Sequence, residues 1–311
     1  MSVLPSSPLV SIVIPTYNRG SLMQQTVASV LAQTYTHWEL MFVDDGSTDN
    51  TAEILYSLKD SRIHLLDLPH SGNIASLRNA GAEAGSGEWI AFLDSDDEWV
   101  SNKLEIQLHL LLQKKKRWSY GGYELMNEAS QTIANRSGIF RPVSGWIIRP
   151  LVTTEVAVNI GSLMVERKLF NEVSGFNTEP GLLYREDYEL ALRLALKAEA
   201  LAVPDLLLRV REHTHRSTNA FDDGHKRTAF VYKHFLNSRP GNNLVRLARR
   251  RMAHHLAEIA VNCMEQGKYF RAISQLVKAL VHRDRLKHLL SVIRRGLIAH
   301  YKKMKQNRQP V

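Results

Sequence analysis

The chain has 311 residues, 44 % of them hydrophobic, enough for one large or two modest domains with a real core. Its single cysteine, Cys263, excludes a disulfide framework and a cysteine zinc site and fits a reducing compartment, while no apolar run reaches the 18 residues of a membrane span and residues 1–8 lack the basic and apolar regions of a secretory signal. The net charge of +9 is unevenly placed: residues 241–311 carry 16 Lys and Arg against 3 Asp and Glu, a balance of +13, and residues 1–240 carry 24 against 28, a balance of −4.

Residues 9–14 are almost continuously apolar, as a strand buried on both faces of a parallel sheet would be, and they end at Pro15-Thr16-Tyr17-Asn18-Arg19. Helical spacing follows from about Leu22 to Gln33. Residues 39–43 predict a second strand, closed by Asp44-Asp45-Gly46-Ser47-Thr48-Asp49, whose small polar residues can cap a helix over about 50–59. Residues 63–68 predict a third strand, 73–84 a helix and 89–93 a fourth strand. Alternating strands and helices with short links imply a parallel sheet with right-handed crossovers and ligand loops at the carboxyl ends of its strands.

The fourth strand runs into Asp94-Ser95-Asp96-Asp97-Glu98. Acids so closely spaced repel unless a cation or hydrogen-bond donors compensate them. Asp94 and Asp96, two residues apart, can turn toward one side of a loop and offer hard oxygen ligands suited to Mg2+ or Mn2+. A helix N-cap accounts for part of the same pattern, through Ser95 or Asp97. The three polar loops, 15–19, 44–49 and 94–97, all fall at strand carboxyl ends, so the topology predicts that they share one crevice.

Beyond them the pattern predicts a helix over 98–113, strands over 118–126, 160–165 and 202–208, a turn-rich loop over 127–145, a short helix over 168–173, and an amphipathic helix opened by Tyr184-Arg185-Glu186-Asp187-Tyr188. Residues 221–311 read as helical. Positions 260–280 have the spacing of a tetratricopeptide-type helix pair, and an apolar stripe from Leu286 to Ile298 lies among basic residues, the composition of a helix on an anionic membrane surface or of one packed on the catalytic domain. No nucleic-acid-binding motif accompanies the charge, so no nucleic acid partner is expected.

The order and spacing of Pro15 to Arg19, Val43 to Asp49, Arg78-Asn79, Gly87-Glu88-Trp89, Asp94 to Asp97, Gly175-Phe176 and Glu186-Asp187 resemble the family 2 glycosyltransferases of the inverting GT-A class, over about residues 8–216. The resemblance implies an α/β GT-A fold, a Rossmann-like and mostly parallel sheet flanked by helices, with a catalytic domain over 1–220 and a helical C-terminal extension over 221–311. It divides the domain into a nucleotide-sugar half over about 8–97 and an acceptor half over about 98–216. It implies transfer from a nucleoside-diphosphate sugar, UDP-sugar favored, to a glycan or lipid-linked acceptor in polysaccharide synthesis, in the cytoplasm or at the inner face of the membrane.

Carried over position by position, Pro15, Thr16, Tyr17 and Arg19 would line the nucleotide pocket, with Tyr17 against the base. Asp45 or Asp44 would bond base or ribose, and Arg78 would contact the nucleotide side. Asp94 and Asp96 match the motif for a divalent metal (Mn2+ or Mg2+), with His213 or His215 as a returning histidine, and Asp187 matches the catalytic base. The Gln-x-x-Arg-Trp element and membrane helices of processive synthases are not found after Asp187, so addition of one or a few sugars is expected. A nucleotidyltransferase of similar fold would ordinarily carry a glycine-rich basic loop after the first strand, which residues 15–19 lack. A non-catalytic, membrane-associated binding protein would have no use for intact acids at three loops.

Overall fold

The computed structural model describes residues 7–133, 142–213, 224–281 and 294. The chain divides into two compact units, Met1–Asn219 and Ala220–Val311.

The first unit is organised on an eight-stranded sheet. Strands β1 (Val10–Thr16), β2 (Trp38–Asp44), β3 (Ile63–Asp67) and β4 (Trp89–Phe92) form a parallel half in the order β3-β2-β1-β4. Every residue of β1 and β4 is buried, which is why these segments are apolar at consecutive positions rather than at alternate ones. Helices α1 (Gly20–Leu31), α2 (Thr51–Ser57) and α3 (Ile74–Ala84) link the parallel strands. Gly81 sets the depth at which α3 lies on the sheet, because a Cβ there would come 2.5 Å from Val13 Cγ1 and 2.8 Å from Val43 Cγ2.

The sheet then changes direction. Strand β4 pairs antiparallel with β7 (Met164–Glu166), β7 antiparallel with β6 (Trp118–Met126), β6 parallel with β8 (Leu201–Arg211), and β8 antiparallel with β5 (Glu98–Trp99). Helix α4 (Lys103–Lys114) covers this half, α5 (Ile148–Thr153) and α6 (Arg167–Glu172) are short, and α7 (Glu186–Lys197) carries the Glu-Asp pair.

Several boundaries differ from the expectations, most clearly where a tertiary partner wins over local preference. Glu98 and Trp99 belong to a strand and not to the following helix: Glu98 is held by Arg209 and Arg211 of β8, and the Trp99 indole N–H donates to Gly161 O at 2.7 Å. Residues 160–162 form a 3-10 turn capped by Asn159, whose Oδ1 accepts from Gly161 N at 2.9 Å, so the strand starts at Met164. Tyr184 sits at φ +64° and α7 begins two residues later, at Glu186. Strand β8 runs on to Arg211, because its last residues pair with β6 as far as Met126.

The second unit contains α8 (Gly224–Asn237), α9 (Asn242–Glu265) and α10 (Tyr269–Val281). Gly267, at φ +73°, turns the chain between α9 and α10, whose contact is made by Ala253, Ala257, Ala260, Ala272 and Ala279, small enough for close approach. Among the described residues no helix is long and apolar enough to cross a membrane. The stripe from Leu286 to Ile298 and His215 lie outside the described residues.

Candidate active site

The exits of β1 and β2 are locked to each other. Asn18, at φ +51°, accepts on its Oδ1 from Thr48 N at 2.8 Å and Asp49 N at 3.3 Å, while its own N–H donates to Ser47 Oγ at 2.9 Å. Arg19 N donates to Thr51 Oγ1 at 2.9 Å, and Asp45 N to Thr16 O at 3.0 Å. This web aims Arg19 at the third loop, where its Nε stands 3.9 Å from Asp96 Oδ2.

Asp44 and Asp45, adjacent in sequence, have different surroundings. Asp44 is buried and takes hydrogen bonds from Ser47 N and Oγ; burial raises its pKa, the Ser47 bonds oppose this, and the negative charges of Asp67 and Asp49 add to the rise. Asp45 Oδ1 accepts from Ser71 N and Oγ, both at 2.8 Å, and Oδ2 from Gly72 N at 2.8 Å, with His70 Nδ1 at 3.0 Å. Asp45 therefore fixes the 70–72 loop and with it His70, whose ring stacks on Tyr17 with centroids 4.3 Å apart and planes 25° apart. Tyr17 is 40 % exposed, so the stacked pair offers an aromatic surface to solvent. Thr16 is buried and its Oγ1 has no hydrogen-bond partner.

The acid loop after β4 is compensated from four sides. Asp94 Oδ1 accepts from Arg78 Nη2 at 2.7 Å. Asp96 Oδ2 lies 2.9 Å from His213 Nε2; burial pushes the Asp96 pKa up, but His213 and the Arg19 charge outweigh it and leave the carboxyl below its usual range. Asp97 Oδ1 accepts from Arg211 N at 2.9 Å. The fully buried Arg211 guanidinium in turn donates to Asp96 O at 2.9 Å, Glu128 O at 2.8 Å and Asn127 O at 3.1 Å, and pairs with Glu98. The repulsion inherent in four acids within five residues is thus absorbed largely by protein cations.

The fourth wall is the start of α7. Arg78, on α3 and buried, reaches Glu186 Oε1 with Nη1 at 2.7 Å while its Nη2 holds Asp94, and burial that would lower its pKa is outweighed by Asp94 and Glu186. Arg78 Nε and Glu186 Oε2 are buried without hydrogen-bond partners. Asp187, beside them, accepts from Tyr188 N at 2.6 Å; its pKa is raised to about 6 by burial and by the Glu186 charge, with Arg78 opposing. A carboxyl with a pKa near neutrality is suited to taking a proton at physiological pH.

Pro15, Arg19, Arg78, Asp94, Asp96 and Asp187 line a single open cleft of about 200 Å³, together with Tyr184, Arg185 and Glu186. Tyr17, Thr16, Asp44 and Asp45 lie outside that lining: Tyr17 is on the exposed ring pair and the other three are buried behind the loops. His213 touches the cleft through Asp96. His70, whose ring is brought to Tyr17 from another loop, and Arg211, two residues before His213, carry no local sequence signal of these roles. The pairing of Glu186 with Arg78 joins segments 108 residues apart and has no local signature in the sequence.

A divalent cation is implied by the fold family. No three His, Cys, Asp or Glu side chains among the described residues are grouped as ligands for a metal ion. The donor set nonetheless fits a hard cation that takes one or two carboxylates and fills its shell with water and phosphate oxygens. Asp94 and Asp96, two carboxylates on one short loop, both line the cleft.

The family model described as "Glycosyl transferase family 2" matches residues 11–173. Over 122 residues, 39 % of this chain and 48 % of the relative, the sequence is 44 % identical to the UDP-Glc:alpha-D-GlcNAc-diphosphoundecaprenol beta-1,3-glucosyltransferase WfgD of Escherichia coli. It is 30 % identical to the uncharacterized glycosyltransferase RP339 of Rickettsia prowazekii over 218 residues, 68 % of this chain and 67 % of that one. The match therefore spans about half the length of WfgD. Among solved structures, S. aureus TarS 1-349 in complex with UDP-GlcNAc superposes with a TM-score of 0.68 at 16 % identity, covering 87 % of this chain and 81 % of TarS 1-349, a likeness that carries the GT-A fold. With half of its length matched by the family model and its acids arranged as described, the chain belongs to glycosyl transferase family 2.

Proposed function

We propose that this family 2 glycosyltransferase is an inverting, metal-dependent and non-processive enzyme that transfers a sugar from a UDP-sugar to a lipid-linked or other glycan acceptor in cell-surface polysaccharide synthesis. The observation that carries the reading is the placement of Asp187, its pKa raised to about 6, in one cleft with Asp94 and Asp96. The nucleotide preference draws on TarS, whose crystal structure holds UDP-GlcNAc, and the acceptor class on WfgD, whose name specifies a diphosphoundecaprenol-linked sugar. With a lipid-linked acceptor the reaction belongs at the cytoplasmic face of the membrane. In this reading the catalytic domain is residues 1–220, with the donor held over about 8–97 and the acceptor over about 98–216.

Inversion requires a single in-line displacement, hence one base and no covalent nucleophile. Asp187 removes the proton of the acceptor hydroxyl as its oxygen attacks the anomeric carbon; the bond from that carbon to the diphosphate oxygen breaks, and its electron pair leaves with UDP. Asp94 and Asp96 would hold the cation, which when bound would supply neutralisation of charge on the departing diphosphate. Arg19 and His213 keep Asp96 ionised, and Arg78 keeps Asp94 and Glu186 in place. Tyr17 and His70 provide the aromatic surface for the base, and the buried Asp44 and Asp45 hold the loops around that surface, Asp44 through Ser47 and Asp45 through residues 70–72.

The test is UDP release from UDP-glucose and UDP-N-acetylglucosamine, with a diphosphoundecaprenol-linked sugar as acceptor and Mn2+ or Mg2+ present. Wild type turns over, while Asp187→Asn and Asp96→Ala lose at least about a hundredfold in kcat. Full activity of Asp187→Asn places the base elsewhere, and undiminished activity in chelator removes the metal from the scheme.

A further inference from the structure

Helix α10 has two apolar faces, and among the described residues of the second unit only one of them is covered. Ala272 and Ala279, with Leu276, pack on α9. Phe270, Ile273, Val277 and Val281 recur at the three- and four-residue spacing that puts side chains on one face of a helix, and this face is exposed, Phe270 at 93 % and Val281 at 75 %. Tyr269 and Leu280 extend it at its edge. A soluble helix ordinarily gives such a face charged residues, and contiguous exposed apolar side chains mark a surface that binds something.

The charges beside this face identify the partner. Arg271 and Lys278, seven residues apart, lie along one side of the apolar stripe, and α10 contains no Asp or Glu. Antiparallel pairing with a second copy of the same helix would set Arg271 and Lys278 of both copies along the same edge of the contact, so like charges would meet there. An anionic surface meets no such penalty. The balance of +13 over residues 241–311 works in the same direction.

We propose that the exposed face of α10 docks the protein on an anionic phospholipid surface, with Phe270, Ile273, Val277 and Val281 at the boundary of headgroups and acyl chains and Arg271 and Lys278 on lipid phosphates. The helix lies in the interface plane, as a strongly amphipathic segment too short to span does. This inference stands on the second unit alone and does not depend on the catalytic reading.

The experiment is co-sedimentation of the full chain with vesicles of phosphatidylcholine, with and without phosphatidylserine. Wild type partitions onto the anionic vesicles, less so at high salt. Phe270→Ser with Val277→Ser lowers the partition coefficient roughly tenfold, and Arg271→Glu with Lys278→Glu does the same on anionic vesicles only. Because all four positions lie on the exposed side of the helix, the far-ultraviolet circular dichroism of both variants matches wild type. As an independent reading, the Phe270→Trp variant gains fluorescence that shifts to the blue on these vesicles and is quenched by brominated acyl chains. Wild type that fails to sediment, sedimentation unaffected by Phe270→Ser with Val277→Ser, or added fluorescence in the Phe270→Trp variant that is indifferent to brominated lipid each overturns the proposal. So does a wild-type dimer that the same double substitution dissociates, since the occupant of the face would then be a second copy.

Discussion

Arg78 and Glu186, 108 residues apart in sequence, meet through a 2.7 Å bond between two buried side chains. The same guanidinium holds Asp94 at 2.7 Å, so one arginine on α3 joins the exit of β4 to the helix that carries Asp187. Removing it leaves a buried Glu186 without its cation. Arg78→Ala is therefore expected to destabilise the first unit by about 3–5 kcal/mol. Arg78→Lys recovers only part of that, because an ammonium cannot direct two separate donors along the same fork. Urea denaturation of the three proteins checks both expectations.

Asp187 makes the reaction pH-dependent in a stated direction. Its folded pKa, about 6, lies above the ordinary aspartate value of 3.8. The base form is lost on acidification, so kcat is expected to fall tenfold per pH unit below about pH 6 and to be level above it. The stability linkage has the opposite sense. The neutral form is favored by the fold, so this contribution is complete below the unfolded pKa and is lost as pH rises through about 6. Asp187→Asn should accordingly exceed wild type in stability at about pH 8, with the advantage vanishing near pH 4. Paired melts at the two pH values measure it.

His213→Gln tests the support of Asp96. The imidazole at 2.9 Å helps hold the Asp96 carboxyl below its usual pKa range, and an amide can supply a hydrogen bond but not the same ring donor geometry. A loss of roughly 10- to 100-fold in metal or donor affinity is expected, as for residues that orient a metal-binding carboxylate, with little change in melting temperature. Titration of Mn2+ against the donor KM reads it.

Arg211 is a structural prediction with a catalytic consequence. Its buried guanidinium ties the acid loop to Asn127 and Glu128 beyond β6 and to Glu98, so Arg211→Lys cannot reproduce the set of bonds. A destabilisation of roughly 3 kcal/mol is expected, together with a rise in donor KM, because the Asp96 carbonyl loses its guanidinium donor while Asp97 keeps only its bond from the residue 211 main-chain N–H. Denaturant melts and steady-state kinetics on the same preparation separate the two effects.

Much of the first unit was legible in the amino-acid order. The parallel half announced itself through strands apolar at every position and through polar loops at their carboxyl ends, because burial on both faces and topology leave few other solutions. The second half was harder to read. Strand β5 is only two residues long, and nothing local separates Glu98 and Trp99 from the helix that follows; their state follows from Arg209, Arg211 and Gly161, all distant in sequence. Likewise Asp44 and Asp45 are equivalent as letters, and only the position of the 70–72 loop assigns Asp45 to holding His70.

The sequence by itself determined the chemistry present and the side of the sheet on which it would gather, since residue type and strand periodicity are local properties. Only the tertiary structure decided how the charges are balanced. Whether an acid is paired, raised toward neutrality or turned inward depends on donors delivered by other segments: Arg19 from β1's exit, Arg78 from α3, Arg211 and the His213 imidazole from the end of β8. Electrostatic interactions act through space at a few ångströms, and sequence separation carries no information about that distance.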